Sequence, residues 1–356
     1  MIRLEKRNAP LAVEIAAPVI AAVAAAALTP AVLALLGHQA PAPFAAMAAG
    51  AFGSTALALS APLMLTGLAT LLSFSVRLNN LGAEGQLLAG ALVVIVLGTV
   101  MARVPAPLVI MLATVTGPLV GALMMTLPTA MKIKLGTDET IVTLILNVIA
   151  LVGIAAATAT PLAAMVPTGA QQTFAPPATL PSAGLGPAAR IAIGLTIAVL
   201  ACAAASFVKL YTVTGFALRA IGGNPTAARY AGIPVDRIQL LVGALSGALA
   251  GFAGTALALG FIGGPPASAG AGLGYAGIAV ALLAGRWPVA VIPAALFLAL
   301  LVGAAESLSR TAEAAISLAD IAVALTLVAA PAVAALVRYR IRVGAPGASS
   351  PMTGSE

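Results

Sequence analysis

The sequence predicts an all-α, polytopic membrane protein with about ten transmembrane helices and no fewer than eight. Hydrophobic residues make up 61% of its 356 residues and charged residues 8%, whereas a soluble domain carries about 25% charged residues. Its mean hydropathy is +1.12. A water-soluble core could not bury this much apolar surface, so most of the chain is expected to be surrounded by lipid.

Ten apolar stretches are candidates for spans, because a helix needs about 20 residues to cross the hydrocarbon core. The eighth is short and shares an apolar block with the ninth, so eight spans with re-entrant segments are the alternative. The first is too long for the apolar core of a signal peptide, about 7–15 residues, and is interpreted as an uncleaved helix. The stretches are 11–36, 46–74, 86–102, 106–127, 139–160, 188–208, 238–262, 275–285, 288–305 and 316–337.

The chain is therefore divided into three regions. Residues 1–10 form a cytosolic N-terminus, 11–337 form the membrane domain, and 338–356 form a cytosolic tail. The tail is rich in Gly, Pro and Ser and is expected to be disordered.

Basic residues determine the expected orientation, because Lys and Arg accumulate in cytosolic loops. With the N-terminus inside, ten spans place Arg77, Lys132 and the strongly basic 209–237 loop inside, and only Arg103 and Arg310 outside. Both termini are then cytoplasmic. The net charge of +7 arises in these loops, so nucleic acid is not an expected partner.

A polar, glycine-interrupted cluster separates the second and third stretches, Asn79-Asn80-Leu81-Gly82-Ala83-Glu84-Gly85-Gln86. An ionisable group at membrane depth is costly unless it is paired or hydrated, which makes Glu84 a candidate functional residue. One interpretation is a discontinuous helix start that lines a solute pathway. The other is an interfacial turn in which Glu84 is stabilised by a helix N-terminus. The candidate pathway residues are Asn79, Asn80, Glu84 and Gln86.

A second polar group begins the fifth stretch. Thr137 is expected to cap this helix, and Asp138 and Glu139 fall in its first turn, where the helix dipole favours anions. Asn147 lies two turns deeper and needs a hydrogen-bond partner or water at that depth. Asn147 either bonds to a neighbouring helix or is a further pathway residue.

The basic loop contains signals for one short helix. Asn224 is a favoured N-cap, Pro225 suits the first helical position and Gly232 suits the position after the C-cap, which predicts a helix over 225–231. Two turns are unstable alone in water, so this helix must pack against something. It either inserts into a groove on another protein or docks on its own bundle. The residues that suit insertion are Ala227, Ala228, Tyr230 and Ala231.

Two further patterns concern helix packing. The motif Leu81-Gly82-x-x-Gly85-x-x-x-Ala89 recurs as Leu273-Gly274-x-x-Gly277-x-x-x-Ala281, five predicted helices later. This is either an inverted repeat or a chance similarity in an Ala- and Gly-rich chain. In the seventh stretch, Gly243, Gly247 and Gly251, with Gly254 nearby, form a ridge of small residues that permits close contact between helices.

Signals for catalysis are absent from the sequence. It has no GxxxxGK[ST] phosphate-binding loop, and His38 is its single histidine, which excludes histidine metal clusters and triads. No enzyme activity, cofactor or metal is therefore expected. The alternative to a transporter with an external motor is an ion-coupled transporter acting alone. That alternative needs paired ionisable groups in the membrane, and only Glu84, Glu139 and Glu306 are available.

Four segments together resemble one family. They are LNNLGAEGQLLAGA at 78–91, DETIVTLILNVIA at 138–150, ALRAIGGNPTAARYAGI at 217–233 and GLGYAGIAVALLAG at 272–285. In this order they are similar to segments of ABC transporter permeases of the branched-chain amino acid/ribose-type superfamily. The similarity is greatest to permeases of nucleoside and simple-sugar importers with basic-membrane-protein-type binding proteins.

The resemblance implies a permease subunit of the bacterial inner membrane that moves a nucleoside or simple sugar, using ATP hydrolysed by a separate subunit. The implied partners are an ABC ATPase, a second permease that is identical or homologous, an external solute-binding protein and the lipid bilayer. The resemblance also implies that the 217–233 loop docks into the ATPase. The residues expected to couple the two are Arg219, Asn224, Pro225, Ala228, Tyr230 and Gly232.

Overall fold

The computed structural model describes residues 2–6, 54–101, 103–159, 186–259, 272–311 and 339–343. In these ranges the membrane domain consists of helices. Each of the eight predicted spans between 46 and 305 corresponds to one observed helix, and the predicted spans 11–36 and 316–337 lie outside the described residues. The helices are α1 (Ser54–Ser75), α2 (Ala83–Val100), α3 (Ala106–Leu135), α4 (Glu139–Ala159), α5 (Pro187–Tyr211), α6 (Val213–Gly223), α7 (Pro225–Tyr230), α8 (Val235–Ala258), α9 (Leu273–Ala284) and α10 (Val291–Thr311), with a 3₁₀ turn at Pro288–Ala290.

The length and apolar character of these helices fit a polytopic membrane protein. Within the described ranges, five helices are long and apolar enough to cross a membrane, namely α1, α2, α3, α5 and α8. Helices α4, α9 and α10 contribute shorter apolar stretches. The prediction of a helical, polytopic membrane domain is thus confirmed.

Helices α1 and α8 form the centre of the bundle. Helix α8 packs along α1, α2 and α3, while α9 and α10 pack along α1. The glycine ridge of α8 allows this contact, since a Cβ added at Gly247 would lie 2.1 Å from the carbonyl oxygen of Gly121. A Cβ at Gly254 would lie 1.8 Å from the carbonyl oxygen of Leu87. The predicted packing role of the ridge is confirmed.

The basic loops meet at one end of the bundle, which we call the basic end. Arg77, after α1, donates to the carbonyl of Gly223 at the end of α6. The Nζ of Lys132 in α3 donates to the carbonyl of Arg77 at 2.8 Å. The Nζ of Lys209 in α5 donates to the carbonyl of Arg286, after α9, at 2.5 Å. Loops that the charge pattern assigns to the same side of the membrane therefore contact one another.

Two terminal segments pair as an antiparallel ribbon, β1 (Ile2–Lys6) with β2 (Tyr339–Val343), in which Ile2 is opposite Val343. Both sequences, IRLEK and YRIRV, alternate with the period of a strand. The expectation of disorder for 338–356 is therefore wrong for residues 339–343. Local composition cannot predict this strand, because its partner lies at the other end of the chain. Residues 344–356 lie outside the described ranges.

Candidate functional site

The chain between α1 and α2 enters the bundle without helical structure. Leu78 and Asn80 in this segment are buried, and the first nine residues of α2, from Ala83 to Ala91, are buried as well. Irregular backbone at membrane depth is tolerated only where protein groups or water satisfy it. The side chains around residues 78–86 must therefore supply hydrogen bonds to this backbone.

Asn80 holds the segment together. Its Oδ1 accepts the N–H of Gly82 and the Nε2 of Gln86, each at 3.0 Å. Its Nδ2 donates to Oε1 of Gln86 at 3.0 Å and to Oγ of Ser246 in α8 at 2.9 Å. The Ser246 hydroxyl donates in turn to the carbonyl of Ala69 in α1 at 2.7 Å. Asn80 and Gln86 are thus paired amide to amide and tied to both central helices.

Asn147 connects α4 to the same segment. Its Oδ1 accepts the N–H of Gly85 at 2.8 Å, and its Nδ2 donates to the carbonyl of Leu81 at 2.9 Å. The Nδ2 also donates to the hydroxyl oxygen of Tyr275 in α9 at 3.1 Å. The interpretation of Asn147 as an interhelical bond is confirmed, and this residue contacts α2, α9 and the loop between α1 and α2.

Glu84 joins the starts of α2 and α9. It is the second residue of α2 and is 5% exposed. Its Oε1 accepts the N–H of Gly272 and its Oε2 accepts the N–H of Gly274, both at 2.7 Å. A Cβ at Gly274 would lie 2.3 Å from the backbone nitrogen of Glu84, so the two helix starts are in backbone contact. Glu84 thus lies at a helix start, as both interpretations predicted, and its carboxylate also bonds to the start of a second helix.

This meeting point lies inside the bundle. Helix α9 has 12 residues and is about 18 Å long at 1.5 Å per residue, whereas the hydrocarbon core is about 30 Å thick. Because Arg286, just after α9, is bonded at the basic end, the start of α9 falls within the membrane. We call this site the helix junction and define it by Asn80, Glu84, Gln86, Asn147 and 272–275.

Asn79 lies apart from the junction, with an exposed side chain. Its N–H donates to Oε1 of Glu139 at 2.9 Å, and the same oxygen accepts the Nζ of Lys132 at 2.7 Å. Glu139 lies in the first turn of α4, as predicted. Of the predicted pathway residues, the structure thus brings four together and leaves Asn79 nearer the basic end.

The cap of α4 differs from the prediction. Oδ1 of Asp138 accepts the N–H of Thr140 at 2.8 Å, so Asp138 is the capping residue and the prediction for Thr137 is wrong. Helix α4 begins at Glu139, one residue too late for Thr137 to reach its first N–H groups. Hydrogen bonds from the Thr140 hydroxyl and amide lower the pKa of Asp138, which keeps this carboxylate charged beside the positive end of the helix.

The short helix of the basic loop is present as α7. Oδ1 of Asn224 accepts the N–H groups of Thr226 at 2.9 Å and Ala227 at 3.1 Å, and Pro225 is the first helical residue. These are the predicted N-terminal signals. The N-terminal end of α7 is therefore fixed by local sequence alone.

The C-terminal end of α7 is equally well defined. The N–H of Gly232 donates to the carbonyl of Arg229 at 3.1 Å, and the N–H of Ile233 donates to the carbonyl of Ala228 at 3.0 Å. The φ angle of Gly232 is 82°. This pattern is a Schellman motif, which requires a left-handed residue. Ala228 is 4% exposed and belongs to the main core. It anchors α7 to its own bundle, so the expectation that Ala228 faces another protein is wrong.

The outward surface of α7 is formed by other residues. Tyr230 is 89% exposed, and Ala227 and Ala231 are also exposed. Arg219 on α6 is exposed and donates to the carbonyl of Lys209. The residues of α7 other than the half-buried Pro225 and the buried Ala228 thus remain available to a partner.

Sequence reasoning missed three residues that form bonds at the helix junction or the basic end. Ser246 and Arg77 bond to segments distant in sequence, and no local pattern indicates either partner. Tyr275 is 47% exposed while its hydroxyl contacts Asn147. Its one available signal was an aromatic ring at a glycine-rich helix start.

Helices that begin inside an apolar bundle are an arrangement in which membrane transporters build solute sites. Fold and junction together define a transport protein. Residues 52–331 match the family described as branched-chain amino acid transport system / permease component, and the chain belongs to this family. It is the permease subunit of an ABC importer and has no catalytic activity of its own.

Curated relatives agree with this assignment. The nucleoside ABC transporter permease protein NupB of Lactococcus lactis is 32% identical over 253 residues, 67% of this chain and 68% of the relative. The guanosine ABC transporter permease protein NupP of Bacillus subtilis is 35% identical over 244 residues, with the same two shares. The glucose ABC transporter permease protein TsgB13 of Haloferax volcanii is 32% identical over 305 residues, 82% of this chain and 79% of the relative.

No solved structure matches the chain. Membership of the family implies an ATPase subunit and a substrate-binding protein, and it decides against an ion-coupled transporter acting alone.

Replacing Glu84 with Gln is expected to weaken the junction. An amide has one acceptor oxygen, whereas Gly272 and Gly274 each require an acceptor, so one buried N–H is left unpaired at a cost of about 1–3 kcal/mol. The expected result is a lower melting temperature of the purified chain in detergent, together with slower uptake by the assembled importer.

Asp236→Asn is the control for this variant. The carboxylate of Asp236 forms an exposed ion pair with Arg229, which contributes at most about 1 kcal/mol. A Glu84→Gln protein as stable as the Asp236→Asn protein would contradict the bridging role of Glu84.

Proposed function

We propose that this permease moves a nucleoside into the cell, with a simple sugar as the second candidate. Two relatives at 32% and 35% identity carry nucleoside or guanosine in their names, and this observation supports the proposal most directly. The relative named for glucose matches a larger share of the chain. A nucleoside contains a sugar ring, so a pathway lined by groups that hydrogen-bond to hydroxyls suits both nucleosides and simple sugars.

We also propose ten spans with both termini in the cytoplasm. The pairing of β1 with β2 supports this topology, since termini on one side require an even number of crossings. The contacts also suit an inverted repeat, in which α2 packs on α8 as α9 packs on α1. A thiol introduced in 344–356 should then react with an impermeant reagent only from the cytosolic side.

We propose that the solute passes along the helix junction. Asn80, Glu84, Gln86 and Asn147 would form the wall of the pathway and hold its shape, with Asn79 towards the basic end. Tyr275 would present its half-exposed ring to the solute. A ring at this position suits a planar base, because aromatic faces stack on one another.

We propose that α7 and the adjacent Arg219 form the surface that meets the ATPase. Support comes from a helix that is capped at both ends by Asn224 and Gly232, with Pro225 in its first turn. It is anchored through Ala228. An aromatic residue that is almost fully exposed next to small residues suits a groove on a partner. The second permease, identical or homologous, is proposed from the family.

The solute is identified by uptake in cells that express the complete importer. Radiolabelled guanosine is expected to accumulate, and unlabelled nucleosides should compete with it, whereas glucose in the same excess should not. Cells with the empty vector provide the background. Accumulation of radiolabelled glucose without accumulation of radiolabelled guanosine would reverse the order of the two candidates.

Docking on α7 is tested by Tyr230→Ala. Because Tyr230 is 89% exposed, its removal should leave the melting temperature of the permease unchanged while the ATPase is lost from a tagged-permease pull-down. Tyr211→Ala is the matched control, since Tyr211 is an exposed tyrosine at the same end of the bundle and its variant should retain the ATPase. If the Tyr230→Ala permease retains the ATPase in full, the docking proposal is wrong.

The position of Tyr275 is tested by Tyr275→Cys and a charged thiol reagent, which reacts with thiolates in water. Cys202 is the single native cysteine and is buried, so background labelling should be small. Val148→Cys on α4 is the control, because Val148 is 60% exposed in the isolated chain on an apolar face. We expect labelling at residue 275 and none at residue 148 in membranes. The reverse result would place the pathway elsewhere.

A further inference from the structure

Arg77 has a backbone conformation that glycine normally adopts. Its φ of 60° is the only positive φ of a non-glycine residue in the part of the chain that the structure describes. Its N–H donates to the carbonyl of Phe74, and the N–H of Leu78 donates to the carbonyl of Ser73. These two bonds form a Schellman motif at the end of α1. Gly232 occupies the equivalent position after α7. A Cβ is strained in this conformation, so another interaction must favour arginine here.

The guanidinium of Arg77 forms a fork on the end of α6. Its Nε donates to the carbonyl of Gly222 at 3.1 Å and its Nη2 to the carbonyl of Gly223 at 2.9 Å. These are the last two residues of α6, and the next residue, Asn224, caps α7. A cation is stabilised at a helix C-terminus, and arginine can serve two acceptors with a rigid geometry that lysine lacks.

The two helix ends are also pressed together. A Cβ added at Gly222 would lie 2.5 Å from the carbonyl oxygen of Ser75 in α1. The end of α6 therefore sits directly on the end of α1, and Arg77 fastens this contact. If α6 and α7 are displaced, either the backbone at residue 77 moves with them or the hydrogen bonds of its guanidinium break.

The backbone at Arg77 is held from the other direction by charged side chains. Its carbonyl accepts the Nζ of Lys132 at 2.8 Å, and Lys132 pairs with Glu139 at 2.7 Å. Glu139 accepts the N–H of Asn79 at 2.9 Å. The next residue, Asn80, belongs to the helix junction. Hydrogen bonds therefore connect the end of α6 to Asn79, and the backbone continues from Asn79 into the junction.

We propose that Arg77 is a positioning residue for energy coupling, which transmits movement of α6 and α7 to the start of α2. This inference rests on the proposed docking of the ATPase on α7. The segment between Arg77 and Ala83 is short, and its backbone is held by the hydrogen bonds from Asn79 to Glu139 and from Gly82 to Asn80, so a displacement of residue 77 is passed on to the start of α2. The two bonds of the guanidinium are the side-chain hydrogen bonds that join α6 to this segment in the described ranges.

The test uses the complete importer, with permease, ATPase and binding protein reconstituted in liposomes. It measures the amount of solute transported per ATP hydrolysed. Arg77→Gln and Arg77→Gly are compared with Arg103→Gln, which changes an exposed arginine between α2 and α3. The glycine variant removes the guanidinium while favouring the left-handed turn, so the end of α1 should remain folded.

Both Arg77 variants are expected to retain the ATPase and to keep their melting temperature within a few degrees of the wild type. Solute transported per ATP should fall about tenfold, a coupling loss in the usual range for linked sites. The Arg103→Gln importer should keep the wild-type ratio.

Three results would overturn the proposal. The first is an unchanged ratio in Arg77→Gly. The second is a lower melting temperature with an unchanged ratio, which a merely structural role predicts. The third is loss of the ATPase from the Arg77 variants, since the guanidinium would then act in assembly. The docking proposal is judged separately by the Tyr230→Ala pull-down, so the two failures are distinguishable.

Discussion

Two helices, α2 and α9, begin inside the bundle, and the carboxylate of Glu84 lies between their first turns. The first N–H groups of any helix lack partners within it, and at membrane depth no bulk water replaces them. Two helix starts facing each other would also oppose their positive dipole ends. The buried carboxylate of Glu84 lies at both positive ends, and each of its oxygens accepts one N–H at the start of α9 at 2.7 Å. These two charge-assisted hydrogen bonds offset the free-energy cost of burying the carboxylate.

The remaining polar residues of the junction follow from the same constraint. Once α2 starts at depth, residues 78–82 must cross part of the membrane as irregular backbone, and each polar group on them needs a partner. Asn80 and Asn147 supply those partners because an amide can donate and accept at once. Ser246 reaches Asn80 because glycines on α8 bring that helix within backbone contact of its neighbours. The small residues of α8 and the buried amides therefore act together to give the irregular backbone its hydrogen-bond partners.

Features with a local cause could be predicted from the sequence, and features with a distant cause could not. Apolar length predicted ten spans, and the eight of them that fall within the described residues are helices; capping chemistry predicted α7 to within one residue. The same reasoning failed for Ala228, because six helical residues contain too little periodicity to reveal which alanine faces the bundle. It recognised Glu84 as a helix-start residue but did not find its partners, since Gly272 and Gly274 lie 188 and 190 residues away. The pairing of 339–343 with 2–6 escaped prediction for the same reason.

The rigidity of the centre limits where this permease can change shape. Helices α1 and α8 contact their neighbours through glycine backbones, where a single added carbon would collide, and close-packed contacts of this kind do not deform gradually. The irregular segment before α2 and the left-handed Gly272 before α9 are the non-helical parts of the junction. Rearrangement at the pathway should therefore occur at these two entries, while α1 and α8 move as rigid bodies. An external ATPase can act only through the loops, and the segment before α2 begins at the basic end, directly beside α6. The segment that should rearrange therefore begins where the ATPase would act.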